Sequence, residues 1–189
     1  MPWLQPKTAN YFGFLPQGEP GGGVCNPYLV SSSEGTAINI GDIVVISTIG
    51  TVRVATGAFS TGFAGVAASA VPANGGSTAA TMQVNTSQMV LLYDHPDQVY
   101  AACDTTSGVL GSTKIGYNVA VLTTGAVGST GVNATLLRSV MALSGVSAST
   151  SAVLPFKIIA LHPVEQGVFS TVAAGTAGAV GEVRKWLVQ

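Results

Sequence analysis

Lys114-Ile115-Gly116-Tyr117-Asn118-Val119-Ala120-Val121 puts Ile115, Tyr117, Val119 and Val121 at every second position, the period of a β-strand with one buried face and one wet face. Reading outward from this stretch, short runs of the same kind recur. Ile43-Val-Val-Ile46 and Thr51-Val-Arg-Val-Ala55 are expected to pair, and Ile38-Asn-Ile40 leads into them through Gly41-Asp42. Phe63 to Val71 is a third strand, and its Gly and Ala content points to close approach of another backbone. Thr81 to Tyr93 and Gln98 to Cys103 follow, after a turn at Asn74-Gly75-Gly76-Ser77. Beyond the opening stretch, Leu122 to Asn133 is loop by composition, and Ala134 to Leu143 reads as strand rather than one short helix. Phe156 to Leu161 and Glu182 to Val188 close the chain as strands on either side of a Gly/Ala/Thr-rich loop. The expected fold class is all-β, a β-barrel or sandwich of about eight to ten short strands with an extended N-terminal arm.

That arm covers residues 1–37. Pro2, Pro6, Pro16, Pro20 and Pro27, with Gly18 and the Gly21-Gly22-Gly23 run, argue against a helix and against a paired central strand. It also carries Trp3, Tyr11, Phe12, Phe14 and Tyr28, more large apolar groups than an idle solvated linker holds. These five are the candidate contact residues, laid either on the arm's own domain or on a neighbouring subunit. The β domain is then 38–189, with an alternative division into two small β subdomains near 105–113.

Composition narrows the function classes. Only 8% of the 189 residues are charged, against a typical ~25%, and none lies between Val54 and Tyr93. With 47% hydrophobic residues and a net charge of −1, collapse is favoured over disorder, and little repulsion keeps copies apart. Seven basic residues, scattered singly except Arg184-Lys185, make no basic patch, so nucleic acid is not an expected partner. Apolar runs such as Met89-Val-Leu-Leu-Tyr93 are far short of the ~20 residues of a membrane helix, and the opening residues lack a signal-peptide layout. The expected setting is the cytoplasm, or a particle assembled there, with no membrane partner. Cys25 and Cys103 lie far apart, without metal-site spacing, and are expected to be small buried residues rather than a disulfide.

The pool for chemistry is thin. Asp94-His95-Pro96-Asp97 has ligand-type residues, but Pro96 reads more simply as the centre of a turn whose backbone donors Asp94 and Asp97 cap. Gly125-Ala-Val-Gly-Ser-Thr-Gly131 contains no Gly-x-Ser-x-Gly elbow, and Gly108-Val-Leu-Gly-Ser-Thr-Lys114 lacks phosphate-loop spacing. His162 at a strand end reads as an edge residue, and Asn85-Thr-Ser87 and Asn133-Ala-Thr135 carry no function without a secretory signal. The chain is read as non-catalytic, with no catalytic residue, no metal site and no cofactor.

The order of segments resembles the decoration (cement) proteins of tailed-bacteriophage heads. Gly41-Asp-Ile-Val-Val45, Gly65-Val-Ala-Ala68 and Tyr93-Asp-His-Pro-Asp-Gln-Val99 look like the first half of that family. Lys114 to Val121, Gly128-Ser-Thr-Gly131, the strand near Leu136 to Leu143, Leu154-Pro-Phe-Lys-Ile-Ile-Ala-Leu161 and Val183 to Val188 look like the second. The match spans about residues 38–189 and consists of strand-and-turn strings. It departs from the family pattern at Lys114 and Ile115, where an acidic residue is usual, and at Gln189, where a polar ending is missing. The resemblance implies a β-barrel that binds major capsid protein on the capsid exterior, often as a trimer or dimer of its own copies, and stabilises the shell. Other virion parts (head fibre base, tail or shell protein) and a carbohydrate-binding adhesion module are the alternative readings.

Overall fold

The computed structural model describes residues 13–18, 24–31, 34, 36–47, 50–56, 62–71, 88–104, 110–122, 139, 141–144, 147–152, 154–162 and 185–189. Among the described residues there are twelve strands in three antiparallel sheets and no α-helix, so the chain is all-β. The strands are β1 Leu15–Gln17, β2 Asn26–Leu29, β3 Ile43–Ile46, β4 Val52–Val54, β5 Phe63–Ala67 and β6 Met89–Tyr93. They continue with β7 Val99–Cys103, β8 Asn118–Val119, β9 Val121–Leu122, β10 Ala142–Leu143, β11 Phe156–Leu161 and β12 Lys185–Val188.

The first sheet has the order β2-β6-β5-β3-β4. Two of its three interior strands are mostly β-branched or small: β3 is Ile-Val-Val-Ile and β5 is Phe-Ala-Gly-Val-Ala, residues that pack well on a pleated surface. As expected from the sequence, β3 and β4 pair directly, Val44 opposite Val54. The two edges of this sheet meet at one end, where Val30 bridges Val52 and Ser31 N–H donates to the Val52 carbonyl at 2.9 Å. Joining its edges removes exposed ladder groups that would otherwise template further pairing. The anticipated close backbone approach falls at Gly65, where a Cβ would lie 2.6 Å from the Tyr93 carbonyl oxygen.

The second sheet has the order β1-β7-β12-β11-β8, and β10-β9 forms a two-stranded sheet beside it. Its middle strand, β12, comes from the end of the described chain and pairs with β7 and β11. Asp104, just past β7, bridges Leu143 of β10. Both sheets feed one continuous core. Its aromatic centre is Phe14 stacked on Phe156 at 4.8 Å, with buried Tyr100 edge-on to both at 6.4 and 6.3 Å, and the exposed Phe63 meets Phe156 edge-on from outside at 5.5 Å, arrangements that suit the ring quadrupoles. The chain passes from one sheet to the other through the β6–β7 turn, closed by Gln98 N–H to the His95 carbonyl at 3.0 Å.

Within residues 1–37 the described segments lie at sheet margins: β1 is an edge strand on β7 and β2 an edge strand on β6. Pro16 and Pro27 are the reason, since a residue without an N–H is tolerated at an edge and not in the middle of a sheet.

The stretch 114–121 differs from its expected single strand. Ser112–Lys114 is a 3-10 turn, and Lys114-Ile-Gly-Tyr117 is a second turn, closed by Tyr117 N–H to the Lys114 carbonyl at 3.0 Å with Gly116 at φ 87°. A positive φ at the third turn position suits glycine, and apolar alternation carries no information about it. Ile115 is consequently exposed, whereas Val119 and Val121 do face the core. Residues 134–138, 140 and 123–133 lie outside the described residues, and β10 covers only the end of the strand expected there.

Candidate functional site

β2 and β6 form a ribbon in the register Asn26 to Leu92, Pro27 to Leu91, Tyr28 to Val90 and Leu29 to Met89. The two-residue period gives it two faces. Val90 and Leu92 are fully buried, and Tyr28 packs against the core beside them. The opposite face carries Pro27, Leu29, Met89 and Leu91, all exposed, with Met89 at 60%. An antiparallel sheet with one wet face ordinarily shows polar residues there. Here that face is apolar and uncharged, the pattern of a contact surface rather than of scattered apolar side chains.

The ribbon is held rigidly enough to present that face. Leu91 directs its N–H to Ser69 Oγ at 2.9 Å and its carbonyl to Ala68 N–H at 2.8 Å, both on the β5 side. Pro27, opposite Leu91, therefore needs no N–H. At the far end Asp94 acts as a pin: the Asn26 amide donates to both of its carboxylate oxygens at 3.0 Å, and the Tyr28 hydroxyl donates to Oδ2 at 2.6 Å. Partial burial pulls the Asp94 pKa upward, but the bonds from Tyr28 and Asn26 and the nearby His95 outweigh it and leave the carboxyl below its ordinary value. The same Tyr28–Asp94 bond raises the Tyr28 pKa. Tyr100 donates its hydroxyl to the Tyr93 carbonyl at 2.9 Å, and burial pushes its pKa well above the usual phenol range.

The residues picked out by sequence divide three ways. Trp3, Tyr11 and Phe12 lie outside the described residues. Phe14 is fully buried in the core of its own chain, stacked on Phe156, so its ring is taken up internally. Tyr28 sits at the inner edge of the ribbon, its hydroxyl engaged by Asp94. The Asp94–Asp97 segment is a turn as read, but its capping differs: His95 Nδ1, not Asp94, accepts the Asp97 N–H at 3.2 Å, because Asp94 is drawn to β2. Cys103 is buried as expected, while Cys25 is only half-buried. Among the described residues no group of three or more His, Cys, Asp or Glu is placed to hold a metal ion, and no helix is long and apolar enough to cross a membrane.

Leu29, Met89 and Leu91 were not singled out by sequence. The available signal was Met89 to Tyr93, five consecutive apolar residues in a strand: half of them must face away from a one-sided core. Comparison with protein-family models, with curated proteins and with solved structures returns no match.

Proposed function

We propose that this chain is a non-catalytic structural protein of a virion, binding the outer surface of a tailed-phage head and stabilising the shell through contacts with major capsid protein and with its own copies. The observation that supports this reading best is the uncharged apolar face of Pro27, Leu29, Met89 and Leu91 on a chain with only 8% charged residues. Such a face gains free energy when covered, at about 25 cal/mol per Å² of apolar surface removed from water. Its contacts need no ion pairs, so they lose little in salt. A protein repeated over a symmetric shell also multiplies modest contacts, because each further one forms at high effective concentration.

The test is made on purified particles. The chain is expected in many copies per head, to stay bound at high salt, and to be lost from particles when Met89 and Leu91 are both replaced by Thr. Heads stripped of it should lose heat resistance and regain it on adding the chain back. Its absence from particles, or stripped heads as heat-resistant as complete ones, overturns the proposal.

A further inference from the structure

Residues 13–17 occupy a slot whose walls come from much later in the chain. Gly13 N–H donates to the Met141 carbonyl at 2.9 Å and Phe14 N–H to the Gly41 carbonyl at 3.0 Å. The fully buried Phe14 ring stacks on Phe156 at 4.8 Å and meets Tyr100 edge-on at 6.4 Å. Leu15, Pro16 and Gln17 pair with Ala101, Tyr100 and Val99 of β7, and the Gln98 amide donates to the Gln17 carbonyl at 3.3 Å. All of these partners lie between residues 41 and 156.

The outer edge of β1 is a poor template for a further strand. Pro16 has no N–H to offer, and the Gln17 amide folds back on the Leu15 and Pro16 carbonyls at 3.4 and 3.1 Å, so the slot is filled by one segment and growth stops there. Past Gln17 the chain leaves through Gly18, at φ 70° with open space where a Cβ would stand. Val24, where the described chain resumes, is 61% exposed. Between them stand Glu19-Pro20-Gly21-Gly22-Gly23, a linker able to span at most about 20 Å. Both attachment points face solvent, so packing at its two ends leaves the direction of the linker open.

We propose that residues 13–17 are an exchangeable plug: the slot between the two sheets accepts the same segment from a second copy of this chain, and that copy's slot accepts this one in return. Exchange keeps every hydrogen bond and ring contact named above, because the slot is indifferent to which chain supplies Phe14. The closed and exchanged forms differ only in the path of the linker and in the entropy of association. An emptied slot would bare the ladder groups of β7 and the rings of Phe156 and Tyr100, which drives it to take up a segment. The slot also reads what enters it. A Cβ at position 13 would lie 2.6 Å from the Ser139 Cβ, so only glycine fits there, followed by a large flat ring. A second copy carries that sequence, and an unrelated strand does not. The inference goes beyond the proposed virion role and does not depend on it.

The test uses the full chain. Equal amounts of carbon-13-labelled and unlabelled parent are unfolded together in urea and refolded at millimolar concentration, comparable with the effective concentration at which a short linker holds its own segment. Isotope-filtered NMR of the species of doubled mass is expected to show contacts from Phe14 of one copy to Phe156 of the other, rings 4.8 Å apart within the slot. Copies associated through the ribbon face would show none, so the two associations are told apart. A second measurement traps the exchange. Leu15 and Ala101 are paired residues, close enough for a disulfide. A refolded mixture of a Leu15→Cys chain with an Ala101→Cys chain, treated with oxidised glutathione, should yield a 15–101 bond that only exchange can form, mapped by mass spectrometry. One chain carrying both changes is the control and closes the bond within itself. A parent mixture with no Phe14–Phe156 contact between chains overturns the proposal, as does a control that closes its bond while the mixed single variants form none. If the variants fail to fold, the parent mixture decides alone.

Discussion

Asp104 illustrates how single side chains organise the second sheet. It is fully buried and accepts from Trp186 Nε1 at 3.2 Å and from Leu110 N–H at 3.0 Å, so one carboxylate joins the end of β7 to β12 and to the segment after residue 109. Asp104→Ala leaves two buried donors without that acceptor, each costing about 1–3 kcal/mol. Urea unfolding followed by tryptophan fluorescence should show a loss of that order, and Asp104→Asn, which keeps one acceptor oxygen, a smaller one. Equal stability of the alanine variant and the parent would contradict this role. None of this was legible from the sequence, where Asp104 stands in a Thr/Ser/Gly-rich stretch with nothing to mark its indole partner 82 positions away.

At the scale of elements, strand identity was readable where residue chemistry alone decides it. Apart from Lys157 and Leu161, the runs Ile43 to Ile46, Val99 to Cys103 and Phe156 to Leu161 are β-branched, aromatic or small, and they have no turn-former inside them. The reading broke down at Gly116, since a glycine fits an alternating strand and a turn with positive φ equally well. Gly65 is the opposite case, a glycine whose role follows from proximity. Gly65→Ala would push a methyl group against the Tyr93 carbonyl 2.6 Å away, and backbone cannot swing aside as a side chain can. A loss of about 1–3 kcal/mol is expected, seen as a lower urea midpoint with unchanged slope. The β2–β6 ribbon makes a pH prediction. Because the Asp94 pKa is below the ordinary value of 3.8, its stabilisation is present above the unfolded-chain value and is lost as pH falls through the lower folded one. The difference in melting temperature between the parent and Asp94→Asn should thus be full by about pH 5 and shrink as pH falls below about 4.

For the whole molecule, the apolar face of the ribbon and the scarcity of charge act together. Replacing Met89 and Leu91 by Thr removes exposed apolar surface without touching the core, so the unfolding free energy should move by no more than about 0.5 kcal/mol. Self-association measured by sedimentation velocity should nonetheless fall. Unchanged association would mean that this face is not what copies of the chain use.

Composition and periodicity determined, without any coordinates, that this chain is all-β, nearly uncharged and built from short strands, because propensity and two-residue alternation are local properties carried by neighbouring residues. They also put the prolines of the N-terminal segment away from sheet centres, since a missing N–H is a local fact too. Only the tertiary structure decided which side faces water in strands without alternation. It placed Phe14 inside the core, turned Leu29, Met89 and Leu91 outward, and joined the edges of the first sheet at Val30 and Val52. Those outcomes depend on pairing between residues tens of positions apart, and a run such as Met89 to Tyr93, apolar at every position, has no alternation from which its exposed half can be read.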